Sequence, residues 1–214
     1  MTGSGATARG EAVLIDYGAG NLHSVEKALG AAGLQVRRAA RPEEAEDARL
    51  IVLPGQGHFR QAMEAFLASG FEPLIRAHVL AERPFLGICV GLQLLMADSE
   101  EAPGLPGLGL LPGRVRRFPR TGPSVPQMGW NRLTPRGAPP LLAGVEPGAF
   151  VYFAHSYYVE FGESAPGATS SYGEVVYQSA YAQGPLNATQ FHPEKSQAVG
   201  LRILGNVRSL VGRG

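Results

Sequence analysis

The only cysteine of the 214-residue chain, Cys89, lies where a reactive thiol is expected. Apolar runs lead into it and away from it, over 85–88 and 90–96, and Gly87 and Gly91 flank it two positions away on either side. Glycine at such places usually marks a sharp turn or a close backbone approach. A Gly-x-Cys-x-Gly string between strand and helix is typical of a nucleophile elbow, with its side chain over the positive end of the following helix. The alternative, a small buried hydrophobe, is the commoner role of a free cysteine, but it leaves both glycines unexplained.

A base for this thiol is available in His192, one of five histidines. Pro193 biases His192 toward an extended conformation, in which residues i and i+2 point to the same side. Glu194 can therefore accept the Nδ1–H of the His192 ring and leave Nε2 free for the thiol. Cys89, His192 and Glu194 thus predict a nucleophile, its base and an orienting group. Without Cys89, the same pair would be an interfacial histidine and an acidic residue at a helix start.

Acyl transfer also needs hydrogen-bond donors for the oxyanion that develops. One candidate is the backbone N–H of Val90, directly after the nucleophile. A second is a backbone N–H of the Gly55-Gln56-Gly57 string, which follows a neighbouring strand at the edge where open parallel sheets place their sites. The alternative for this string is an ordinary strand-to-helix turn.

The composition excludes several other classes of function. The formal net charge is +1 and charged residues make up 17%, so no nucleic-acid-binding surface is indicated. One cysteine permits no intramolecular disulfide, and the histidines show no metal-ligand spacing, so we expect neither a metal nor a cofactor. No run approaches the roughly 18 apolar residues of a membrane helix, and the N-terminus lacks the apolar segment of a signal peptide. We expect a soluble, cytoplasmic protein.

The first half of the chain alternates strands and helices, which indicates a parallel sheet with helices on both faces. Strands are predicted over 12–16, 35–39, 49–53 and 85–88, and helices over 22–32, 59–68 and 72–82, with a helical connection over 41–48. Asn21 is a good N-cap for the first helix. The preceding glycines do not complete a dinucleotide-binding Gly-x-Gly-x-x-Gly, so that interpretation is rejected.

The second half is richer in proline and glycine and looks more antiparallel. Strands are predicted over 114–118, 130–133, 149–155, 158–161, 174–181 and 186–191, and a last helix over 196–211. Since the sequence contains neither a low-complexity linker nor a repeat, we expect one α/β domain over 1–214 with a mixed sheet. Residues 1–10 would be a frayed lead-in.

The string Gly87-Ile88-Cys89-Val90-Gly91-Leu92-Gln93, with His192-Pro193-Glu194, resembles the class I (triad) glutamine amidotransferase family. Further strings are similar to one branch, the glutaminase subunits of imidazole glycerol phosphate synthase from histidine biosynthesis. They are Asp16-Tyr17-Gly18-Ala19-Gly20-Asn21, Pro54-Gly55-Gln56-Gly57-His58-Phe59, Gln127-Met128-Gly129-Trp130-Asn131, His155-Ser156-Tyr157-Tyr158 and Gln190-Phe191-His192-Pro193-Glu194-Lys195-Ser196. The resemblance implies a three-layer, flavodoxin-like α/β fold, with a mostly parallel central sheet flanked by helices and an additional antiparallel portion.

The resemblance also implies a role for each site residue. Cys89 would attack the side-chain amide of L-glutamine, forming a thioester and expelling ammonia. His192 would pass the thiol proton to the leaving nitrogen and then activate water to release glutamate, and Glu194 would hold His192. The residues expected to contact glutamine are Gln93 and Glu101, with the segment His155, Ser156 and Tyr157 at its carboxylate end.

A partner is implied as well, a (β/α)₈ cyclase subunit that uses the ammonia to make imidazole glycerol phosphate and an aminoimidazole carboxamide ribonucleotide. In this family the Pro-Gly-x-Gly loop completes the oxyanion hole only when the partner is engaged by its ligand. The third loop position is usually small and apolar, whereas this chain has Gln56. Asn21, Tyr152 and Lys195 match interface positions of the family, although by themselves they indicate only an N-cap, a core aromatic and a solvated lysine.

Three alternatives stay open on the sequence. One is a glutaminase for pyridoxal phosphate, anthranilate or guanylate synthesis, whose loop strings differ; the Gly-Gly-Glu-Ser/Thr string of the pyridoxal type is absent. Another is a stand-alone cysteine hydrolase of similar fold. The third is a regulatory binding module without catalysis, which the intact set of Cys89, His192 and Glu194 disfavours.

Overall fold

The computed structural model describes residues 11–161 and 165–211. Its helices are α1 (Leu22–Ala31), α2 (Phe59–Ala68), α3 (Glu72–Leu80), α4 (Val90–Gln93) and α5 (Gln197–Val211). Its strands are β1 (Glu11–Ile15), β2 (Gln35–Ala39), β3 (Leu50–Leu53), β4 (Phe85–Ile88), β5 (Asp98–Ser99), β6 (Arg114–Arg117), β7 (Gln127–Arg132), β8 (Thr134–Arg136), β9 (Phe150–His155), β10 (Tyr157–Glu160), β11 (Gly167–Tyr172), β12 (Val175–Gln183) and β13 (Leu186–Thr189). The predicted lead-in over 1–10 lies outside the described residues.

Most of the strands form one sheet that is parallel on one side and antiparallel on the other, except for the parallel pair of β5 and β6 at its edge. The parallel side has the order β2-β1-β3-β4-β13, and the sheet continues through β12, β10 and β6 to β5. Strands β11 and β8 branch from β12, and β7 pairs with β9 in a separate two-stranded sheet. This arrangement confirms the predicted mixed α/β class.

The parallel strands are apolar because both of their faces are covered. Every residue of β3 and β4 is buried, as expected when helices lie above and below a sheet. The crossovers from β1 to β2 and from β3 to β4 run in opposite directions across the sheet. Because such crossovers are right-handed, their helices cover opposite faces, which gives the predicted three layers.

The parallel register brings two chain segments to the same edge of the sheet. Strands β4 and β13 are neighbours, and Ile88 at the end of β4 pairs with Thr189 at the end of β13. The residues that follow, Cys89 and Gln190, therefore leave the sheet side by side. The backbone N–H of Cys89 donates to the carbonyl of Thr189 at 2.7 Å, which fixes the two segments together.

The helical connection predicted over 41–48 is wrong, because the chain forms only a 3-10 turn at Pro42–Glu44. In a helix the carbonyl of Glu44 would accept from the N–H of Ala48. Instead it accepts from the Arg37 guanidinium, and the Ala48 N–H donates to Ala45 at 3.1 Å. The Glu44 carbonyl, which a longer helix would need as an acceptor, is thus already bonded to Arg37 from outside the segment.

The helix after Cys89 is shorter than its apolar run predicts. It has a single turn, Val90–Gln93, because the carbonyls of the next residues accept hydrogen bonds from another loop. Leu94, Leu95 and Met96 accept from the N–H groups of Leu108, Leu111 and Gly109 at 2.8–3.0 Å. A run that is apolar on every side here marks a buried segment rather than a long helix.

The second half contains strands that the sequence did not predict, namely β5, β8 and β11. Strand β11 is small and polar in sequence, yet its first four residues are buried between β12 and β8. The predicted strand over 130–133 begins earlier, at Gln127, and the one over 186–191 ends at Thr189. The last helix is continuous from Gln197 to Val211 despite Gly205, as predicted. Within 11–161 and 165–211, no helix is both long and apolar enough to cross a bilayer.

Candidate active site

Cys89 occupies the sharp turn that its flanking glycines predict. Its backbone has φ +53° and ψ −108°, a conformation that non-glycine residues rarely adopt. Strain of this kind persists only where surrounding contacts hold it, and it concentrates at functional sites. The turn lies between β4 and the single turn of α4, so the helix contributes only a short stretch of aligned N–H groups beside the thiol.

Three glycines let the backbone around Cys89 close in on strand β3. A Cβ on Gly91 would clash with the carbonyl oxygen of Leu53. A Cβ on Gly87 would lie 2.9 Å from the carbonyl oxygen of Gly91, and one on Gly55 would lie 2.7 Å from the Gly91 nitrogen. The sequence therefore needs glycine at these positions so that the elbow can pack directly against the end of β3.

The predicted base and orienting group meet as expected. Nδ1 of His192 lies 2.8 Å from Oε1 of Glu194, and both side chains are almost fully buried, with 7% and 2% exposed. His192 has the extended conformation expected before proline, with φ −96° and ψ 97°. Its N–H donates to the Tyr152 carbonyl at 2.9 Å and its carbonyl accepts from the Ser196 hydroxyl at 2.6 Å, so the backbone of His192 is held at both ends.

The charge of His192 is set by its two partners. Burial disfavours the charged imidazole, but the negative charge and hydrogen bond of Cys89, together with the Glu194 carboxylate, outweigh burial and raise the pKa of His192 to about 10. Beside a negatively charged Cys89, the imidazolium is therefore the favoured form of His192. It carries the proton that a leaving amine requires.

A cleft of about 250 Å³ opens beside Cys89 and His192. This volume is just below the roughly 300–1,000 Å³ of pockets for drug-sized ligands, which suits an amino acid. Most of the predicted site residues line the cleft, namely Gln56, Gly57, Cys89, Val90, Gln93, Glu101, His155, Ser156, Tyr157, His192 and Lys195. Glu194 lies outside the lining, with His192 between it and Cys89.

Two predicted glutamine contacts already have partners in the protein. Nε2 of Gln93 donates to the Tyr157 carbonyl at 3.0 Å and to Oε1 of Gln190 at 3.2 Å. Oε2 of Glu101 accepts from the N–H of Phe59 at 2.9 Å, and its Oε1 lies 3.7 Å from Nε2 of His58. Glu101 thus caps the start of α2, immediately after the Gln56-Gly57 segment.

His155 is a neutral, buried acceptor at the cleft. Burial lowers the pKa of His155 to about 4, against the effect of a 2.7 Å hydrogen bond between Nδ1 and the Tyr157 carbonyl. Because that carbonyl can only accept, Nδ1 carries the proton and Nε2 is the lone-pair nitrogen. Nε2 is a buried atom with no partner among the described residues.

The loop predicted to complete the oxyanion hole is exposed at its centre. Gln56 and Gly57 are exposed, and Gly57 has φ +85°. The loop is fixed at each end, since Tyr17 Oη donates to the Pro54 carbonyl at 2.9 Å and Glu101 holds Phe59. The N–H of Val90 is the first of α4, and such a group has no acceptor within its helix.

The three residues predicted at an interface have different settings. Asn21 caps α1 by accepting from the N–H of Ser24 at 3.2 Å, as its sequence position indicates. Nζ of Lys195 lies 5.8 Å from the ring centre of Tyr152, and the same ring meets Trp130 edge-on at 6.0 Å. Tyr152 is half-buried at the surface, and its interpretation as a core aromatic is wrong.

Two features were not assigned from the sequence. Gln190 is fully buried, and its Nε2 lies 3.8 Å from Sγ of Cys89. Met128 and Trp130 are 67% and 46% exposed, on alternate positions of β7. The signal for the second feature was present, since apolar residues at alternate positions of an amphipathic strand can face outward as well as inward.

Known proteins identify the family. The model of the family Glutamine amidotransferase class-I matches residues 13–206. Two solved structures share the fold: a glutamine amidotransferase, with TM-score 0.73, 21% identity and coverage of 94% of this chain and 98% of that one, and PurLQS from Thermotoga maritima, with TM-score 0.71, 18% identity and coverage of 94% and 97%. The chain belongs to the class-I glutamine amidotransferase family.

Two relatives are similar over nearly their whole length. The imidazole glycerol phosphate synthase subunit HisH of Deinococcus radiodurans is 52% identical over 200 residues, which cover 92% of this chain and 93% of the relative. A subunit of the same name from Thermus thermophilus is 51% identical over 200 residues, which cover 94% and 96%.

Proposed function

We propose that the chain is the glutaminase subunit of imidazole glycerol phosphate synthase in histidine biosynthesis, and that it hydrolyses L-glutamine to glutamate and ammonia with Cys89, His192 and Glu194. The observation that carries this proposal is the strained Cys89 turn beside a His192 that is paired with Glu194 at 2.8 Å. The similarity to the HisH subunits supports the choice of synthase over the alternatives.

The reaction follows from the charges of the site. The Cys89 thiolate attacks the carboxamide carbon, and the carbonyl oxygen takes the negative charge. The imidazolium of His192 donates its Nε2 proton to the nitrogen as the carbon–nitrogen bond breaks, so neutral ammonia leaves and a thioester forms. His192 then takes a proton from water, the hydroxide attacks the thioester, and glutamate and the thiolate are released.

The cleft offers complementary groups for the rest of the substrate. Glu101 supplies a carboxylate for the α-ammonium group, and its side chain is 12% exposed. The ring of His155 is neutral and can only accept at Nε2, so the donors for the α-carboxylate come from Ser156. The oxyanion faces the N–H of Val90 and one N–H of the Gln56-Gly57 segment.

The partner covers a surface that we call the docking face, defined as Met128, Trp130, Arg132, Phe150, Tyr152 and Ala154. These residues share one side of the β7–β9 sheet, since the register pairs Met128 with Ala154, Trp130 with Tyr152, and Arg132 with Phe150. Met128, Trp130 and Phe150 are 67%, 46% and 47% exposed. Contiguous exposed apolar side chains of this kind mark interaction sites.

The docking face also explains how ammonia is kept from water. Met128, Ala154 and Lys195 line the cleft as well, so a protein that covers the face also covers the cleft's margin. Ammonia loses its nucleophilic lone pair when it is protonated, and a covered exit prevents that. The occupant is the (β/α)₈ cyclase subunit, in a heterodimer. The cytoplasmic location stays a prediction.

The test removes the nucleophile and separates the two reactions. Cys89→Ala is expected to abolish glutamine-dependent synthesis of imidazole glycerol phosphate by the assembled enzyme, while synthesis from added ammonium salt stays within about twofold, because the cyclase site is untouched. Both rates are followed by product formation with the purified cyclase subunit. If both rates disappear, or if the glutamine-dependent rate survives, Cys89 is not the nucleophile and the proposal fails.

A further inference from the structure

Gln190 is a buried polar residue to which the proposed reaction gives no role. Its side chain is 0% exposed and it does not line the cleft, so it cannot touch glutamine. A buried carboxamide needs hydrogen-bond partners for both of its ends. Its oxygen accepts from Nε2 of Gln93 at 3.2 Å, and its nitrogen lies 3.8 Å from Sγ of Cys89.

The backbone holds Gln190 beside the nucleophile. Gln190 and Cys89 follow the paired ends of β13 and β4, and the N–H of Cys89 donates to the Thr189 carbonyl at 2.7 Å. The N–H of Gln190 in turn donates to the Ser179 carbonyl of β12 at 2.9 Å. The Cα of Gln190 is therefore fixed between two strands, and its side chain has little freedom to turn away.

The orientation of the Gln190 carboxamide is set by the Tyr157 carbonyl, acting through Gln93. The Tyr157 carbonyl can only accept, so the amide nitrogen of Gln93 must face it, at 3.0 Å. The same nitrogen also faces Gln190, so the oxygen of Gln190 must point toward Gln93. The NH₂ group of Gln190 is then directed at Cys89, and sulfur can only accept from it.

We propose that Gln190 is a positioning residue for the nucleophile, donating a hydrogen bond to Cys89 Sγ that fixes the side-chain orientation and favours the thiolate. Hydrogen bonds to charged acceptors are stronger than those to neutral ones, so the donor favours the thiolate over the thiol. It acts in both half-reactions, because the thiolate is the attacking group in the first and the leaving group in the second. This inference rests on the proposed function.

The experiment uses the single cysteine of the chain as its own reporter. Alkylation of Cys89 by iodoacetamide is measured from pH 5 to pH 10 in the wild type, in Gln190→Met and in a control, Gln178→Met. Methionine keeps the unbranched shape and removes the donor. Gln178 is also a buried carboxamide, but its Nε2 donates to the carbonyls of Ala180 and Pro166, away from Cys89.

Gln190→Met is expected to slow alkylation at pH 7 by about tenfold, the lower end for a hydrogen bond to a charged group, and to move the pH–rate profile to higher pH. In the assembled enzyme, kcat for glutamine falls by a similar factor while KM stays within about twofold. The control keeps the wild-type alkylation profile. A folded Gln190→Met with wild-type alkylation and kcat overturns the inference.

A second variant, Gln93→Met, tests the proposal if Gln190→Met does not fold. Gln93→Met removes the donor that orients Gln190 but leaves Gln190 in place, so alkylation should slow by about threefold; a wild-type rate there contradicts the proposal. The same data distinguish failure of the proposed function from failure of the role of Gln190. If wild-type Cys89 reacts no faster than glutathione at the same pH, the proposed function fails and this inference with it. If wild-type Cys89 reacts fast and both variants match it, only the role of Gln190 fails.

Discussion

The residues on one side of the cleft are buried and hydrogen-bonded, whereas those on the other side are exposed. On the first, the side chains of Cys89, His192 and Glu194 are buried; hydrogen bonds hold the backbone of Cys89 and His192, and His192 is bonded to Glu194. On the second, Gln56 and Gly57 are exposed between two fixed points at Pro54 and Phe59. The predicted nucleophile and its base are thus buried in the folded chain, whereas the loop between those two points is open to solvent or to a partner.

This difference means that the residues that form the nucleophile are not the ones that regulate the reaction. A nucleophile and base that are already in place need no partner in order to form. We propose that the exposed loop supplies its donor only in the complex, so that the partner decides when the oxyanion is stabilised. Gln56 places a polar side chain at the centre of this loop, where a small apolar residue is usual. Because Gln56 is exposed, the difference affects contacts with solvent or a partner and not the core.

The largest effect is expected on the firmly held side. Glu194→Gln keeps the shape but can donate to Nδ1 of His192 and so favour the wrong tautomer, which should lower kcat by about 10³–10⁴-fold. Glutamate release by the assembled enzyme measures this. The control is Glu160→Gln, an exposed carboxylate that pairs with Arg116. A Glu194→Gln enzyme with near wild-type kcat would show that Glu194 does not orient the base.

An intermediate effect is expected on the exposed side of the cleft. Gly57→Ala introduces no clash, because a Cβ there meets nothing within 4 Å, but alanine disfavours φ +85°. We expect a loss of about 1 kcal/mol in the free energy of unfolding and a fall in kcat of about 10²-fold, as when one oxyanion donor is displaced. Gly137→Ala is matched in strain, with φ +73° and open space, and should lose stability alone. Equal kcat values for the two variants would exclude the loop from the oxyanion hole.

The smallest effect on catalysis is expected from a residue that lies away from both sides of the cleft. His78 is buried in α3, with Nε2 2.9 Å from the Pro84 carbonyl, and burial lowers the pKa of His78 to about 4. The unfolded chain binds this proton near pH 6.5, so His78 favours the folded state above pH 6.5 and loses that contribution as the pH falls toward 4.

His78→Leu should therefore make the free energy of unfolding less dependent on pH between 6.5 and 4, by up to about 3 kcal/mol, with kcat at pH 8 almost unchanged. Urea unfolding at several pH values provides the measurement. An unchanged pH dependence would mean that His78 is not buried in its neutral form.

The sequence predicted the parallel half and the geometry of the candidate site because each signal there is local. The apolar runs of β3 and β4, the glycines around Cys89 and the Pro193 that sets His192 can all be recognised without knowledge of the fold. The pairing of His192 with Glu194 followed from their i, i+2 spacing.

The remaining features depend on contacts between distant segments. The 41–48 connection is not a helix because Arg37 takes the Glu44 carbonyl, and α4 stops because residues 108–111 bond to its continuation. The sequence of strand β11 lacks the apolar alternation that predicts a strand. It forms a strand because β12 and β8 pair with it on both sides. The proposed role of Gln190 depends on a hydrogen bond to Cys89, which lies 101 positions away in the sequence.

We propose that a preassembled nucleophile stays nearly inactive until a partner completes its oxyanion site. The most direct measurement is the rate of glutamate release by the chain alone, with the cyclase subunit, and with the cyclase subunit loaded with its nucleotide ligand. We expect slow release by the chain alone and an increase of at least about 10²-fold in the loaded complex, the contribution of one oxyanion donor. Strong release by the chain alone, unchanged by the cyclase or its ligand, would contradict this proposal and point to a stand-alone hydrolase.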